Sequence, residues 1–225
     1  MNNYHYIIAS LPVISKGYED KSLDLKKITA EIKEQCSESD ILSIDLFNKG
    51  FDGTALDEAF FEEVLKSKSR LTRLYYLLER NIRNMKVKAA ASKLYSPTEA
   101  ERKIEQYSIL PKEDIYGDYR QPTDTEAELS HSDIQTLNSI FSDEDIVSKE
   151  KRLDDFKWEK ITDFTTLDFF NIDAILAFLA KAHLVERWLN LDVNNGKHLF
   201  RKLVDEVRGT YDKNKLIYQI DENNG

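Results

Sequence analysis

The stretch LTRLYYLLERNIRNMKVKAAASKLYSPTEA, residues 71–100, decides the fold of this chain. Apolar side chains recur in it at alternating steps of four and three, the spacing of a helix that packs against partner helices. They are Leu71, Tyr75, Leu78, Ile82, Met85 and Ala89. Since neither Gly nor Pro occurs between Thr54 and Ser96, the pattern predicts one long helix over about 56–94. Ser96 and Pro97 then predict the cap and first residue of the next helix, with Glu99 reaching back to the cap.

The composition of the whole chain favours the same class. Its 225 residues include only 7 Gly and 4 Pro, too few turn-formers for an all-β sandwich or barrel. Hydrophobic residues make up 41%, which is enough to build a core. We therefore expect an all-α protein, an elongated helical bundle with two long helices.

A second long helix is predicted at about 166–191, with Thr165 and Asp168 at its start. Its first half is apolar almost all round, which predicts a helix buried at the centre of the bundle. The residues concerned are Phe169, Phe170, Ile172, Ile175, Leu176, Phe178 and Leu179.

Shorter elements are expected around these two helices. The Tyr- and Ile-rich segment Tyr4–Leu11 ends at Pro12 and predicts a short strand, which the alternating tail 216–220 could pair with. The capping pattern predicts four further helices. They run from Ser22 to about Cys36, from Ile41 to Phe47 behind Asp40, from about Asp143 to Asp163, and from about Leu199 to a stop at Gly209.

The chain divides by composition into 1–112, 113–147 and 148–225, although all three parts could form one domain. Residues 113–147 contain ten acidic residues and one basic residue, Arg120. Pro122 and Gly117 interrupt this stretch, so it predicts a polar linker or a partly ordered excursion, which could contain a short helix near 133–141.

A basic strip is the main candidate for binding. Residues 66–93 carry nine basic side chains and one acidic one, Glu79, within a chain of net charge −9. Five cations fall within about a quarter turn, opposite the apolar positions. They are Lys66, Arg70, Arg73, Arg80 and Lys88. The strip could be a solvated face neutralised by the chain's own residues 113–147, a docking strip for an acidic partner protein, or a site for nucleic acid or anionic lipid.

Catalytic chemistry is sparse in the sequence. No glycine-rich phosphate loop is present, and with one Cys and four His a nucleophile–base pair is improbable. His183 and Glu186 are neighbours on the predicted apolar helix face. They could form a metal or acid–base site, but an interhelical polar contact anchored by Arg187 and Trp188 is the simpler interpretation. In that interpretation the Arg187 guanidinium is largely buried. We expect no metal, no cofactor and no enzymatic activity.

Compartment and partners follow from charge and cysteine usage. An acidic chain, with a pI near 5.1, is a poor candidate for nucleic acid. Cys36 is the single cysteine, which fits a reducing compartment. Residues 1–15 are too short to span a bilayer and lack the basic start of a secretory signal. We therefore expect a cytoplasmic protein that is not itself inserted in a membrane.

The C-terminal third carries a family resemblance. Residues 150–209 contain Trp158 after a charged helix, the series Phe169-Phe170-Asn171-Ile172, the series Glu186-Arg187-Trp188, and Gly196-Lys197 before Phe200. The start YHYIIASLPVI, residues 4–14, and ERNIRN, residues 79–84, add to the pattern. Together they resemble a bacterial family of uncharacterised proteins encoded with V-type ATP synthase subunits. That family is similar to the C subunit of V- and A-type rotary ATPases, an all-helical cap without catalytic chemistry.

The resemblance implies a non-catalytic subunit of a V-type ATP synthase. Such a subunit would lie on the cytoplasmic side, peripheral to the inner membrane through the complex, and would hold or couple acidic surfaces of other subunits. A stand-alone helical adaptor or assembly factor is the alternative. The matched positions are expected to be structural anchors, namely Asn81, Trp158, Glu186, Arg187, Trp188 and Gly196.

Overall fold

The computed structural model describes residues 4–16, 23–52, 56–109 and 122–190, and every regular element in these ranges is helical. The predicted all-α class is therefore confirmed. The predicted N-terminal strand is wrong, because residues 4–10 form a helix that buries Ile7. The α-helices are α1 (Tyr4–Ser10), α2 (Leu25–Glu34), α3 (Glu38–Lys49), α4 (Glu58–Leu65), α5 (Arg70–Leu94), α6 (Pro97–Tyr107), α7 (His131–Phe141), α8 (Ile146–Phe164) and α9 (Ile172–Asn190). A 3₁₀ helix, Pro122–Ala127, precedes α7.

The long helix predicted over 56–94 is two helices. The chain leaves the helix after Leu65 and resumes at Arg70. Ser69 is the N-cap of α5, and its side chain accepts a hydrogen bond from the backbone N–H of Thr72 at 3.0 Å. A serine hydroxyl can satisfy an orphan donor at a helix start, so a break needs neither Gly nor Pro.

The second long helix starts six residues later than predicted. Asn171 begins it, because its Oδ1 accepts from the backbone N–H of Ala174 at 3.0 Å. The preceding loop therefore leaves three apolar side chains in solvent: Leu167 is 85% exposed, Phe169 64% and Phe170 52%. Their predicted burial is wrong for both phenylalanines, whereas the buried positions expected further along the helix, such as Ile175 and Leu179, are confirmed.

The helices of the N-terminal third start at side-chain caps. Asp24 caps α2, and the predicted cap Ser22 lies outside the described residues. Ser37 and Asp40 form a reciprocal capping box at α3, so that helix begins three residues before the predicted position.

Pro97 is the first residue of α6 as predicted, although Ser96 makes no side-chain cap bond there.

Helix α5 is the centre of the fold, a role that the sequence suggested for α9. Residues 71–78 are buried without exception, and α5 packs against α4, α6, the 3₁₀ helix, α7 and α8. An aromatic cluster lies beside it, in which the ring of Tyr76 lies 4.9 Å from that of Phe60 and 5.5 Å from that of Phe47. Tyr76 also donates a hydrogen bond to the carbonyl of Phe47.

The second half of α5 has a different environment. Of residues 83–94 only Ala91 is buried. This half of α5 packs against α6 in a helical hairpin, and the single buried residue of α6 is Ala100. The helix thus changes from a core element to a solvated one about halfway along its length.

Contacts between Cα positions divide the chain into Met1–Val185 and Glu186–Gly225. The sequence-based boundaries at 112 and 148 do not coincide with this division. The described part of the acidic stretch is packed: Asp124, Ala127, Leu137 and Ile140 are buried, and the helix expected near 133–141 is α7. The predicted turn, final helix and tail beyond residue 190 lie outside the described residues.

Candidate functional site

The five cations of the basic strip have different environments. Lys66 and Lys88 are exposed, Arg70 and Arg80 are half-buried, and Arg73 is buried. Only the two ends of the basic strip are therefore solvated. The prediction placed all five cations on one unbroken helix, whereas tertiary contacts cover the start of α5.

Arg73 is enclosed by the break between α4 and α5. Its Nε donates to Oδ1 of Asp124 at 3.0 Å, and Nη1 donates to the carbonyls of Ser67 at 2.6 Å and Ser69 at 3.3 Å. Asp124 comes from the 3₁₀ helix, so one guanidinium joins the acidic segment to two carbonyls at the break between α4 and α5. The geometry suits a buried structural ion pair.

Arg70 links the start of α5 to two other elements. Its Nη1 donates to the carbonyl of Phe164, the last residue of α8, at 2.7 Å, and lies 3.6 Å from Oδ2 of Asp168. Its Nη2 is paired with Glu126. A cation at a helix C-terminus complements the partial negative charge there. Neutralisation by the chain's own acidic stretch is therefore observed at Arg70 and Arg73.

Ser69 connects the starts of two helices. Its hydroxyl donates to Oδ1 of Asp173, in the first turn of α9, at 2.6 Å and accepts from the hydroxyl of Thr72 at 2.9 Å. Burial raises the pKa of Asp173, and the hydrogen bond from Ser69 opposes that rise. This contact fixes the loop 165–171 beside residues 66–70.

Asn81 and Asn84 hold the two described ends of the segment between α6 and α7. Nδ2 of Asn81 donates to the carbonyl of Ala127 at 3.0 Å. Asn84 forms a two-way pair with Ile109, donating to its carbonyl at 3.0 Å and accepting from its N–H at 2.9 Å. The anchor role predicted for Asn81 fits this contact, whereas the role of Asn84 was missed. Their i, i+3 spacing places both amides on one face of α5, and this was the signal that could have identified the pair.

His183, one member of the acid–base pair considered from the sequence, has defined contacts with two residues. Its ring stacks on Phe51 at 3.8 Å, and in the Nε2–H tautomer it donates to Oδ1 of Asn48 at 3.1 Å. Burial lowers the pKa of His183 to about 4, so the ring is neutral at pH 7. Within the described ranges, no group of three or more His, Cys, Asp or Glu side chains is arranged to hold a metal ion.

The remaining anchors have varied surroundings. Trp158 is half-buried and lies 5.2 Å below the ammonium of Lys181. Glu186 is half-buried and Gly196 lies outside the described residues. Arg187 is exposed, which contradicts its predicted burial. Its guanidinium lies 5.8 Å from the ring of Trp188, because a long cationic side chain at a helix end can lie along an aromatic face and keep its charge in water.

The comparison with protein families identifies one match. Residues 53–210, more than two thirds of the chain, match the model described as "Protein of unknown function (DUF2764)". The chain belongs to this family. The matched range contains the whole basic strip and every predicted anchor. No curated protein matches the chain, and no solved structure matches it. Among the described residues no helix is both long enough and apolar enough to cross a bilayer.

Proposed function

We propose that this protein is a non-catalytic helical subunit of a V-type ATP synthase, bound on the cytoplasmic side. The proposal starts from the resemblance at residues 4–14, 79–84 and 150–209. A subunit of this kind acts through the surfaces that it presents to its neighbours. The feature of the structure that carries the proposal is therefore an exposed apolar surface, not a pocket.

That surface is the loop between α8 and α9. Leu167, Phe169 and Phe170 are all more than half exposed. The loop is positioned by Asp168, which lies 3.6 Å from Nη1 of Arg70 and accepts from Nδ2 of Asn171 at 2.7 Å. Phe170 is further stacked at 3.8 Å on the ring of His5 from α1. Clustered exposed apolar side chains on a fixed loop are typical of protein–protein contacts. The exposed cation Lys68, just before α5, would complement an acidic neighbour.

Co-purification tests the proposal. The full chain, tagged at its natural expression level, is isolated from gently solubilised membranes, and the bound proteins are identified by mass spectrometry. We expect V-type ATP synthase subunits in stoichiometric amounts. A variant with Leu167→Ser and Phe169→Ser should lose them while keeping its melting temperature, because these side chains contribute little to the core.

Two results would contradict the proposal. Recovery of the chain alone from membranes that contain an intact V-type complex would favour a stand-alone adaptor. Undiminished recovery of the subunits with the double serine variant would show that the loop is not the contact surface.

A further inference from the structure

The exposed distal half of α5 carries a second, separate basic surface. Arg83, Lys86, Ala90, Lys93 and Leu94 are all exposed. At about 100° per residue they fall within about 100° of the helix circumference. We call these five residues the distal stripe. No Asp or Glu occurs between Arg80 and Thr98, and the one acidic residue of α5, Glu79, is paired with Lys157 of α8 at 2.6 Å.

Neighbouring helices neutralise the distal stripe only in part. Nζ of Lys86 lies 3.4 Å from Oε1 of Glu150 on α8, in a pair whose lysine is exposed and whose glutamate is half-buried. Arg83 donates to the carbonyl of Leu56 at 3.3 Å, a neutral group that carries no opposite charge. Helix α6 carries Glu99, Glu101 and Glu105, yet within the described residues none of these carboxylates forms an ion pair with the stripe.

An apolar contact point lies at the end of the stripe. Leu94 is 71% exposed, and the adjoining Tyr95 is exposed as well. A charged row that ends in an exposed Leu and Tyr offers both electrostatic attraction and an apolar anchor. Interfaces combine these two features. A helix face that serves only to contact water would need the charged side chains but not the exposed Leu and Tyr.

We propose that the distal stripe is a docking surface for an acidic segment of another protein, with an apolar side chain of that segment packed on Leu94. The argument is charge complementarity: three cations line one exposed face, and among the described residues their one carboxylate partner is the half-buried Glu150. A protein segment is favoured over nucleic acid because the stripe ends at the exposed side chains of Leu94 and Tyr95, on which an apolar side chain of a protein can pack. The inference rests on the proposed function in one respect, since both require a protein partner.

Charge reversal on the full chain tests the stripe. The variant Arg83→Glu with Lys93→Glu is compared with Lys88→Glu, which changes an exposed cation of the same half-helix on the opposite face. The probe is a fluorescent amphipathic peptide of Glu and Leu, and its affinity is measured by anisotropy at low and moderate salt. We expect the stripe variant to bind at least about tenfold more weakly, the Lys88→Glu variant within about twofold of the wild type, and all three to melt at similar temperatures.

The other outcomes overturn the inference. The wild type could fail to bind the peptide, or both variants could lose the same affinity. The melting temperature could fall in the stripe variant alone. The stripe could also bind anionic phosphatidylglycerol vesicles or duplex DNA and not the peptide. The proposed function is judged separately by co-purification. Recovery of V-type subunits that Arg83→Glu with Lys93→Glu leaves unchanged would refute the stripe alone. Stripe-dependent peptide binding without those subunits would refute the ATP synthase assignment alone.

Discussion

Nε of Arg73 lies 3.0 Å from Oδ1 of Asp124, and both side chains are almost completely buried. The pair joins the start of the central helix to an acidic segment about fifty residues later in the chain. A charge taken out of water is stabilised only by a well-placed partner. The positions of the two elements therefore depend on each other.

Removing one member of this pair should be costly. We expect Asp124→Ala and Arg73→Met each to lower the free energy of unfolding by about 3–5 kcal/mol, because each removes the ion-pair partner of a buried charge. The double variant should cost less than the sum of the two. Urea unfolding of all three variants measures the coupling.

Arg70→Met provides the control. Its ion pair with Glu126 is partly exposed and should contribute about 1 kcal/mol or less. The variant also loses the hydrogen bond to the carbonyl of Phe164, but no fully buried charge loses its partner, so the total loss should be smaller than at Arg73. Additive losses at Arg73 and Asp124, or a greater loss at Arg70 than at Arg73, would contradict the structural role assigned to the buried pair.

The break before α5 shows where prediction from sequence stops. The apolar period of residues 71–89 correctly predicted a packed helix. The interruption at Ser67–Ser69 could not be predicted, because the side chains that stabilise it, Asp124 and Asp173, come from distant parts of the chain. Serines at such positions are common on ordinary helix surfaces, so their capping role depends on tertiary context.

The candidate site was predictable to a similar extent. Charge counting identified both the basic strip and the acidic stretch that neutralises part of it. It could not identify which cations form ion pairs within the chain, since that depends on where the 3₁₀ helix packs. For the same reason Phe169 and Phe170 were placed in the core: their composition is that of a buried helix, and only the cap at Asn171 leaves them in a loop.

The two-way pair between Asn84 and Ile109 gives a second prediction. Asn84→Asp keeps an acceptor for the Ile109 N–H but loses the donor to its carbonyl, and it places a negative charge beside that carbonyl. We expect a loss of about 1–3 kcal/mol and faster hydrogen exchange at the Ile109 amide. Asn81→Asp, which loses its donor to Ala127, should leave exchange at Ile109 unchanged. Equal exchange rates in Asn84→Asp and the wild type would show that the pair does not hold this end of the segment.

Gly50 is required for space, which gives a third prediction. Its φ of −74° is one that any residue can adopt, but a Cβ at this position would overlap the buried ring of Tyr76. We expect Gly50→Ala to cost about 1–3 kcal/mol through overpacking. In a Tyr76→Leu background the same change should cost clearly less, since the smaller side chain leaves room. Thermal melts of the four proteins in this cycle measure the difference, and an unchanged cost in the Leu background would refute the steric explanation.

His183 provides a prediction about pH. Its pKa is about 4 in the folded protein because the ring is buried, whereas an unfolded chain has a His pKa near 6.5. Between these values the unfolded state binds a proton that the folded state does not, so the stability that this residue contributes is complete above about pH 6.5. That contribution falls as the pH drops towards 4, by up to about 1.4 kcal/mol per pH unit.

His183→Gln can retain a donor for Asn48 but cannot be protonated in this range. The loss of unfolding free energy between pH 7 and pH 5, measured in urea, should therefore be greater in the wild type than in His183→Gln. The carboxylates titrate in both proteins and cancel in the comparison. Identical pH profiles would show that His183 is not held neutral by burial, and a steeper profile in the variant would reverse the sign of the argument.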